Sequence, residues 1–213
     1  MRSAMKSVKA LFFPSDAKRR EDVWLFSTML VGACLSLLAS LVLSIEIIHL
    51  LENPDAELAC DINEAISCAS VMKYESANIF GWPNSFLGMM AEPVVITVAI
   101  AGLAGVRFPR AFMAVAQVFY GIGFVFALWL FYLSLYVIGA LCPWCLLVTL
   151  TTTFVFFSLL RYNLRENNLF LSKKHHAIAM KWLKKDYDKI LVGLLVATMA
   201  VLIVVQYGES LFA

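Results

Sequence analysis

The sequence predicts an all-α integral membrane protein, a compact helical bundle with five transmembrane spans. Three observations carry this expectation. Apolar residues make up 62% of the 213 positions and charged residues only 15%, with a mean hydropathy of +0.81; soluble domains do not have this composition. Five stretches, 24–51, 86–106, 111–138, 141–160 and 190–207, are long and apolar enough to cross about 30 Å of hydrocarbon at about 1.5 Å per helical residue. Sixteen of the seventeen Lys and Arg residues fall before the first span, between the second and third, or between the fourth and fifth. A net charge of +2 leaves no electrostatic footprint for a nucleic-acid partner.

The elements follow in order. Residues 1–23 form a basic cytoplasmic segment, and the span after it is longer than the ~7–15-residue core of a cleaved signal peptide. It therefore reads as a retained helix. Lys and Arg accumulate on the cytoplasmic side, whereas the 52–85 loop carries Lys73 among Glu52, Asp55, Glu57, Asp61, Glu64 and Glu75. That loop is expected to face outward, with the N-terminus inside and the C-terminus outside. The tight Gly139–Leu141 turn makes the third and fourth spans antiparallel neighbours within a compact helical bundle. Segment 163–189 is basic, with Ile178, Trp182 and Leu183 at helical spacing, and reads as a helix lying on the anionic cytoplasmic leaflet. His175 and His176 belong to its polar surface, and 190–213 hold the fifth span and an outer C-terminus.

Five cysteines divide into two pairs and a remainder. Cys60 and Cys68 lie in the outer loop, in "CDINEAISC"; Cys142 and Cys145 lie in "CPWC", at the outer end of the fourth span. Both pairs therefore meet the oxidising face of the membrane. Pro143 suits the first position of a helix. A helix N-terminus and its free N–H groups favour a thiolate, and a spacing of three sets both sulfurs on one helix face. Cys142 is nearer the water, Cys145 nearer a lipid-soluble partner. A loop disulfide that reaches both an aqueous protein and the helix dithiol could relay two electrons by thiol–disulfide exchange. The competing readings are two structural staples, or a zinc site with poor spacing. Cys34, within "GACLSLL", reads as a small buried hydrophobe.

"CDINEAISC", then "IFGWPNSFLG" opening the second span, then "CPWC" opening the fourth resemble the vitamin K epoxide reductase family, most closely its bacterial, quinone-linked members of the actinobacterial type. The resemblance covers roughly residues 24–162. It implies that residues 24–162 form a four-helix bundle around a quinone, either menaquinone or ubiquinone, in the bacterial plasma membrane, with the fifth transmembrane helix following it. It further implies that Cys60 exchanges with an external thioredoxin-like protein, that Cys68 shuttles to Cys142, and that Cys145 passes electrons to the quinone. Asn84 matches an asparagine that hydrogen-bonds a quinone carbonyl, although on sequence alone it could equally cap the second helix. Phe86, Leu87 and Trp144 could wall the ring pocket.

Two positions depart from the family pattern. Tyr74 stands where a small hydroxyl residue is usual, and Thr149 replaces a tyrosine of the vertebrate members, which argues against vitamin K epoxide as substrate. Some bacterial members continue into a fused thioredoxin domain, whereas this sequence stops at Ala213, so a separate DsbA-like thiol oxidase is the expected partner. Glu46 and Glu92 are costly in hydrocarbon and are candidates for moving protons, although Glu46 is close enough to the loop to snorkel. Trp82, Tyr136 and Trp144 are placed as an outer aromatic belt would be. The resulting expectation is a membrane thiol–quinone oxidoreductase that needs no metal. A scaffold with inert disulfides, or a DsbB-like enzyme of unrelated fold, is the alternative.

Overall fold

A computed structural model describes residues 16–54, 56 and 58–212. Most of the expected N-terminal segment, with Arg2, Lys6 and Lys9, lies outside the described residues, as do Asp55 and Glu57. Among the described residues five helices are long and apolar enough to cross a membrane, and the protein is an integral membrane helical bundle. They are α1 (Ala17–Glu52), α3 (Ser85–Leu103), α4 (Arg110–Leu133), α5 (Pro143–Arg165) and α7 (Tyr187–Phe212). A short α2 (Cys68–Met72) lies in the loop between α1 and α3, and α6 (Lys173–Lys184) precedes α7.

α1 begins seven residues before its expected start. Asp16 caps it by accepting the Arg19 N–H at 3.0 Å, so charged residues form a first turn below the apolar run. It packs chiefly against α3 and α5, and α5 packs in turn against α4. Small residues permit the close approach. A Cβ on Gly88 would lie 2.1 Å from the Ser40 hydroxyl, and one on Gly102 would lie 2.5 Å from the Phe26 ring. With no hydrophobic drive between helices in lipid, such contacts and shared hydrogen bonds hold the bundle.

Phe26, Met29, Ala99, Met113, Val155 and Leu159 fill the core on the side away from the cysteines. That end is tied by charge. Arg161 pairs with Glu21 at 2.6 Å, Asp188 at 2.7 Å and Asp186 at 3.1 Å, while Arg165 pairs with Glu21, Asp22 and Glu166. α1, α5 and the start of α7 thereby share one ionic cluster. Asn163 adds bonds to the Met113 carbonyl and to Gln117.

α7 is peripheral, with only 11% of its apolar window buried. α6 buries Leu183 and leaves Ile178 and Trp182 exposed beside its lysines. Cys34 departs from expectation. It is exposed, on a side of α1 that also exposes Val31, Leu35 and Leu38. An apolar residue there is satisfied by lipid, so hydropathy alone does not separate bundle-facing from lipid-facing positions.

Candidate redox site

The turn into α5 is built from local backbone requirements. α4 runs into a π-helical turn, Ser134–Ile138, and Gly139 closes it at φ +74°, a left-handed conformation that glycine adopts without penalty. Cys142 is then the N-cap of α5 and Pro143 its first residue, as the sequence predicts. The Cys145 N–H donates to the Cys142 sulfur at 3.3 Å.

The loop is pinned to this turn by a single parallel β-bridge between Ile66 and Leu141. Leu141 N–H donates to the Ala65 carbonyl at 2.8 Å, and Ser67 N–H donates to the Leu141 carbonyl at 3.0 Å. Asn63 shapes the approach, its side-chain oxygen accepting from Ala65 and Ile66 N–H. Asp61 organises the rest. It accepts from Ser67 Oγ at 2.8 Å and from the Leu58 and Ala69 N–H groups at 3.1 Å. Burial pushes the Asp61 carboxyl up, but these hydrogen bonds outweigh it and hold the group below the usual carboxylate range.

The cysteines meet inside this frame. Cys60 and Cys68 are disulfide-bonded, Cys142 and Cys145 are free thiols, and the Cys142 sulfur lies 3.4 Å from that of Cys68. That separation falls within the range of a near-attack arrangement. The Cys142 thiol is held below its ordinary range, first by a hydrogen bond from Cys145 and then by the Cys145 and Trp144 N–H groups. Burial and the Asp61 charge oppose this. A sulfur so placed is a competent nucleophile and leaving group. Cys60 and Cys68 are both buried, at 6% and 0% exposure, so the loop pair that the relay needs to meet an aqueous protein is covered here.

Below the sulfurs lies a cavity of about 680 Å³, lined by Cys142, Cys145, Asn84, Leu87, Glu92 and Thr149 among a majority of apolar side chains. Asn84 stands at the N-cap position of α3, but its side chain makes no capping bond. Its Nδ2 donates to the Ser76 carbonyl at 2.7 Å, and its Oδ1 is buried without a partner among the described residues. An apolar cavity with thiols on its wall fits a flat apolar ring, and the donor Asn84 could offer a ring carbonyl is the second hydrogen of its Nδ2. Phe86 and Trp144 are not among the lining residues. Phe86 stacks on Trp82, and Trp144 packs against the loop's apolar cluster, because successive helical side chains point in different directions.

Of the other singled-out residues, Thr149 spends its hydroxyl on the Cys145 carbonyl at 2.9 Å, and Tyr74 is exposed. Glu92 is buried at 4% exposure, accepting from Ser36 at 2.8 Å and Tyr120 at 3.3 Å, with its second oxygen unpartnered among the described residues. Glu46 is half-buried near the end of α1. The organising roles of Asp61, Asn63 and Leu141 were missed in the sequence. Asp61 and Ser67, spaced around a helix start, are the one readable signal.

A disulfide, a neighbouring dithiol at a helix start and an apolar cavity beneath them define a membrane-embedded thiol oxidoreductase. Residues 27–160 match the vitamin K epoxide reductase family, and the chain belongs to that family. It is therefore an oxidoreductase that acts on thiols with a quinone as electron carrier. No curated protein matches the chain in sequence.

Proposed function

We propose that the protein reoxidises a separate extracytoplasmic, DsbA-like thiol oxidase and passes the electron pair to menaquinone or ubiquinone in the bacterial plasma membrane, sustaining disulfide formation outside the cytoplasm. The observation that carries this reading is the sulfur series: a Cys60–Cys68 bond, Cys142 at 3.4 Å from it, and Cys145 on the cavity wall. The distribution of basic residues supports an outward orientation of that end.

In the proposed cycle a partner thiolate attacks Cys60 and Cys68 leaves as thiolate. The partner's second thiol then releases Cys60, so that the partner is oxidised and the loop pair reduced. Cys68 next attacks Cys142 of an oxidised Cys142–Cys145 pair, with Cys145 leaving. Cys60 closes back on Cys68 and frees Cys142, so both electrons now rest on the helix dithiol. The bonding pattern described above, loop oxidised and helix pair reduced, corresponds to this stage. A quinone, when bound, accepts the two electrons and two protons as the Cys142–Cys145 disulfide reforms. Asn84 and Leu87 would hold its ring. Because the loop sulfurs are covered, the segment around Cys60 must lift for the partner to reach them.

The test is anaerobic quinone reduction by purified protein supplied with a reduced thioredoxin-fold thiol oxidase. Reduction is expected, and Cys145→Ala is expected to abolish it while exchange between the protein partner and the loop pair remains detectable. Undiminished quinone reduction in that variant overturns the reading.

A further inference from the structure

We propose that Tyr207, on the fifth helix, is a positioning residue whose hydroxyl fixes the turn that presents Cys142 to Cys68. This rests on the relay proposed above. Tyr207 lies outside the 27–160 region that matches the family, and most of its helix faces outward.

The last turn of a helix leaves carbonyls without partners in the helix itself, and the π-helical end of α4 lies where the chain must reverse within three residues to reach Cys142. Two side chains secure it. Ser134 Oγ donates to the Ala140 carbonyl at 2.5 Å, closing the turn from within. Tyr207 Oη donates to the Ser134 carbonyl at 3.1 Å and to the Leu135 carbonyl at 3.3 Å, a single proton shared between two acceptors.

Its ring is 7% exposed and belongs to one apolar cluster with Ala65, Phe131, Leu135, Leu141 and Met199. An aromatic residue serving as a membrane-interface anchor would turn its hydroxyl to water and headgroups; this one is buried against the backbone of the redox turn. Two residues of the same cluster lie on the β-bridge pairing: Ala65 supplies its carbonyl and Leu141 both its N–H and its carbonyl. Cys142 follows Leu141 directly. The fifth helix therefore packs into the cluster that holds both bridge partners and bonds the turn that leads to Cys142. A displacement of about 1 Å from near-attack geometry can cost on the order of a hundredfold in rate.

The test uses the full chain in detergent with Tyr207→Phe, which keeps the ring and removes the hydroxyl. With Cys60→Ser and Cys145→Ser also present, oxidised glutathione accepts two electrons, its disulfide being cleaved to two thiols as the Cys68–Cys142 bond forms. The equilibrium gives an effective concentration for that pair. The expected result is a drop of about fivefold or more on Tyr207→Phe, the worth of one hydrogen bond. The effective concentration of the Cys60–Cys68 pair, measured in the Cys142→Ser and Cys145→Ser background, should hold.

An unchanged Cys68–Cys142 value overturns the inference. So does an equal fall in both pairs, which would mark a general loosening of the fold. If no Cys68–Cys142 disulfide forms even with Tyr207 intact, the relay itself fails and this inference fails with it.

Discussion

The Cys142 sulfur lies 3.4 Å from the Cys68 sulfur although 74 positions separate them. What brings them together is backbone pairing of the residues just before each. That arrangement also places Cys142 beside the Cys145 thiol and two backbone donors, which hold its pKa down. A lowered value means the thiolate survives to more acid pH than in a free cysteine. Cys145→Ala removes the leading cause, so the midpoint for alkylation of Cys142 by iodoacetamide, followed in a Cys34→Ala background, is expected to move to higher pH. An unmoved midpoint would show that the N–H groups alone suffice.

Asp61 gives a second pH dependence, of opposite consequence. Its folded-state pKa is depressed, so its contribution is complete above the unfolded value of about 4 and is lost as pH falls through the lower folded value. The loop disulfide should become more accessible to a phosphine reductant as acid conditions protonate Asp61. With Asp61→Asn, reduction is expected to be faster at neutral pH and nearly flat across the acid range. A variant that keeps the acid-dependent rise would remove Asp61 from this role.

Asn84 lines the cavity, and its Nδ2, which gives one hydrogen to the Ser76 carbonyl, has a second to offer a quinone carbonyl. Asn84→Ala should raise the quinone concentration for half-maximal rate by roughly five- to tenfold, the cost of about one hydrogen bond. Saturation kinetics with a short-chain quinone measure this. A change in maximal rate alone would place Asn84 outside quinone binding.

Gly88 meets Ser40 with no room for a methyl group. Gly88→Ala should destabilise the bundle by about 1–3 kcal/mol through separation of α1 and α3, seen as a lower Tm in detergent. Ser40→Gly in the same chain should restore most of the loss, giving a large coupling energy between the two sites. If the effects simply add, the two residues are not in contact.

The five spans and the dithiol at a helix start were legible because each rests on a local signal: a long apolar run, a Pro at the first helical position, a Gly at the reversal. The resemblance of "CDINEAISC" and "PNSFLG" to a known family pointed to the same cysteines that the fold brings together. What stayed hidden depends on direction or on distant partners. Phe86 and Leu87 are adjacent and equally apolar, yet only Leu87 lines the cavity. Cys34 is as apolar as its buried neighbours, but lipid solvates it as well as protein would. The Ile66–Leu141 bridge joins a single residue on each side, too short to leave a strand pattern. The outward-facing pair expected at the loop is instead covered, because Leu50, Leu58 and Met72 close around it.

That single bridge constrains chain length more tightly than composition. Cys68 stands two residues beyond Ile66, and Cys142 one beyond Leu141. Residues could be added or removed in the 104–109 connection between α3 and α4, at the end of the bundle away from the cysteines, with both short paths intact. One residue inserted between 66 and 68, or between 141 and 142, would shift one sulfur by about 3 Å along an extended backbone and turn it to the other side of the chain. The meeting of the two sulfurs thus depends on an exact residue count at two short places beside the bridge.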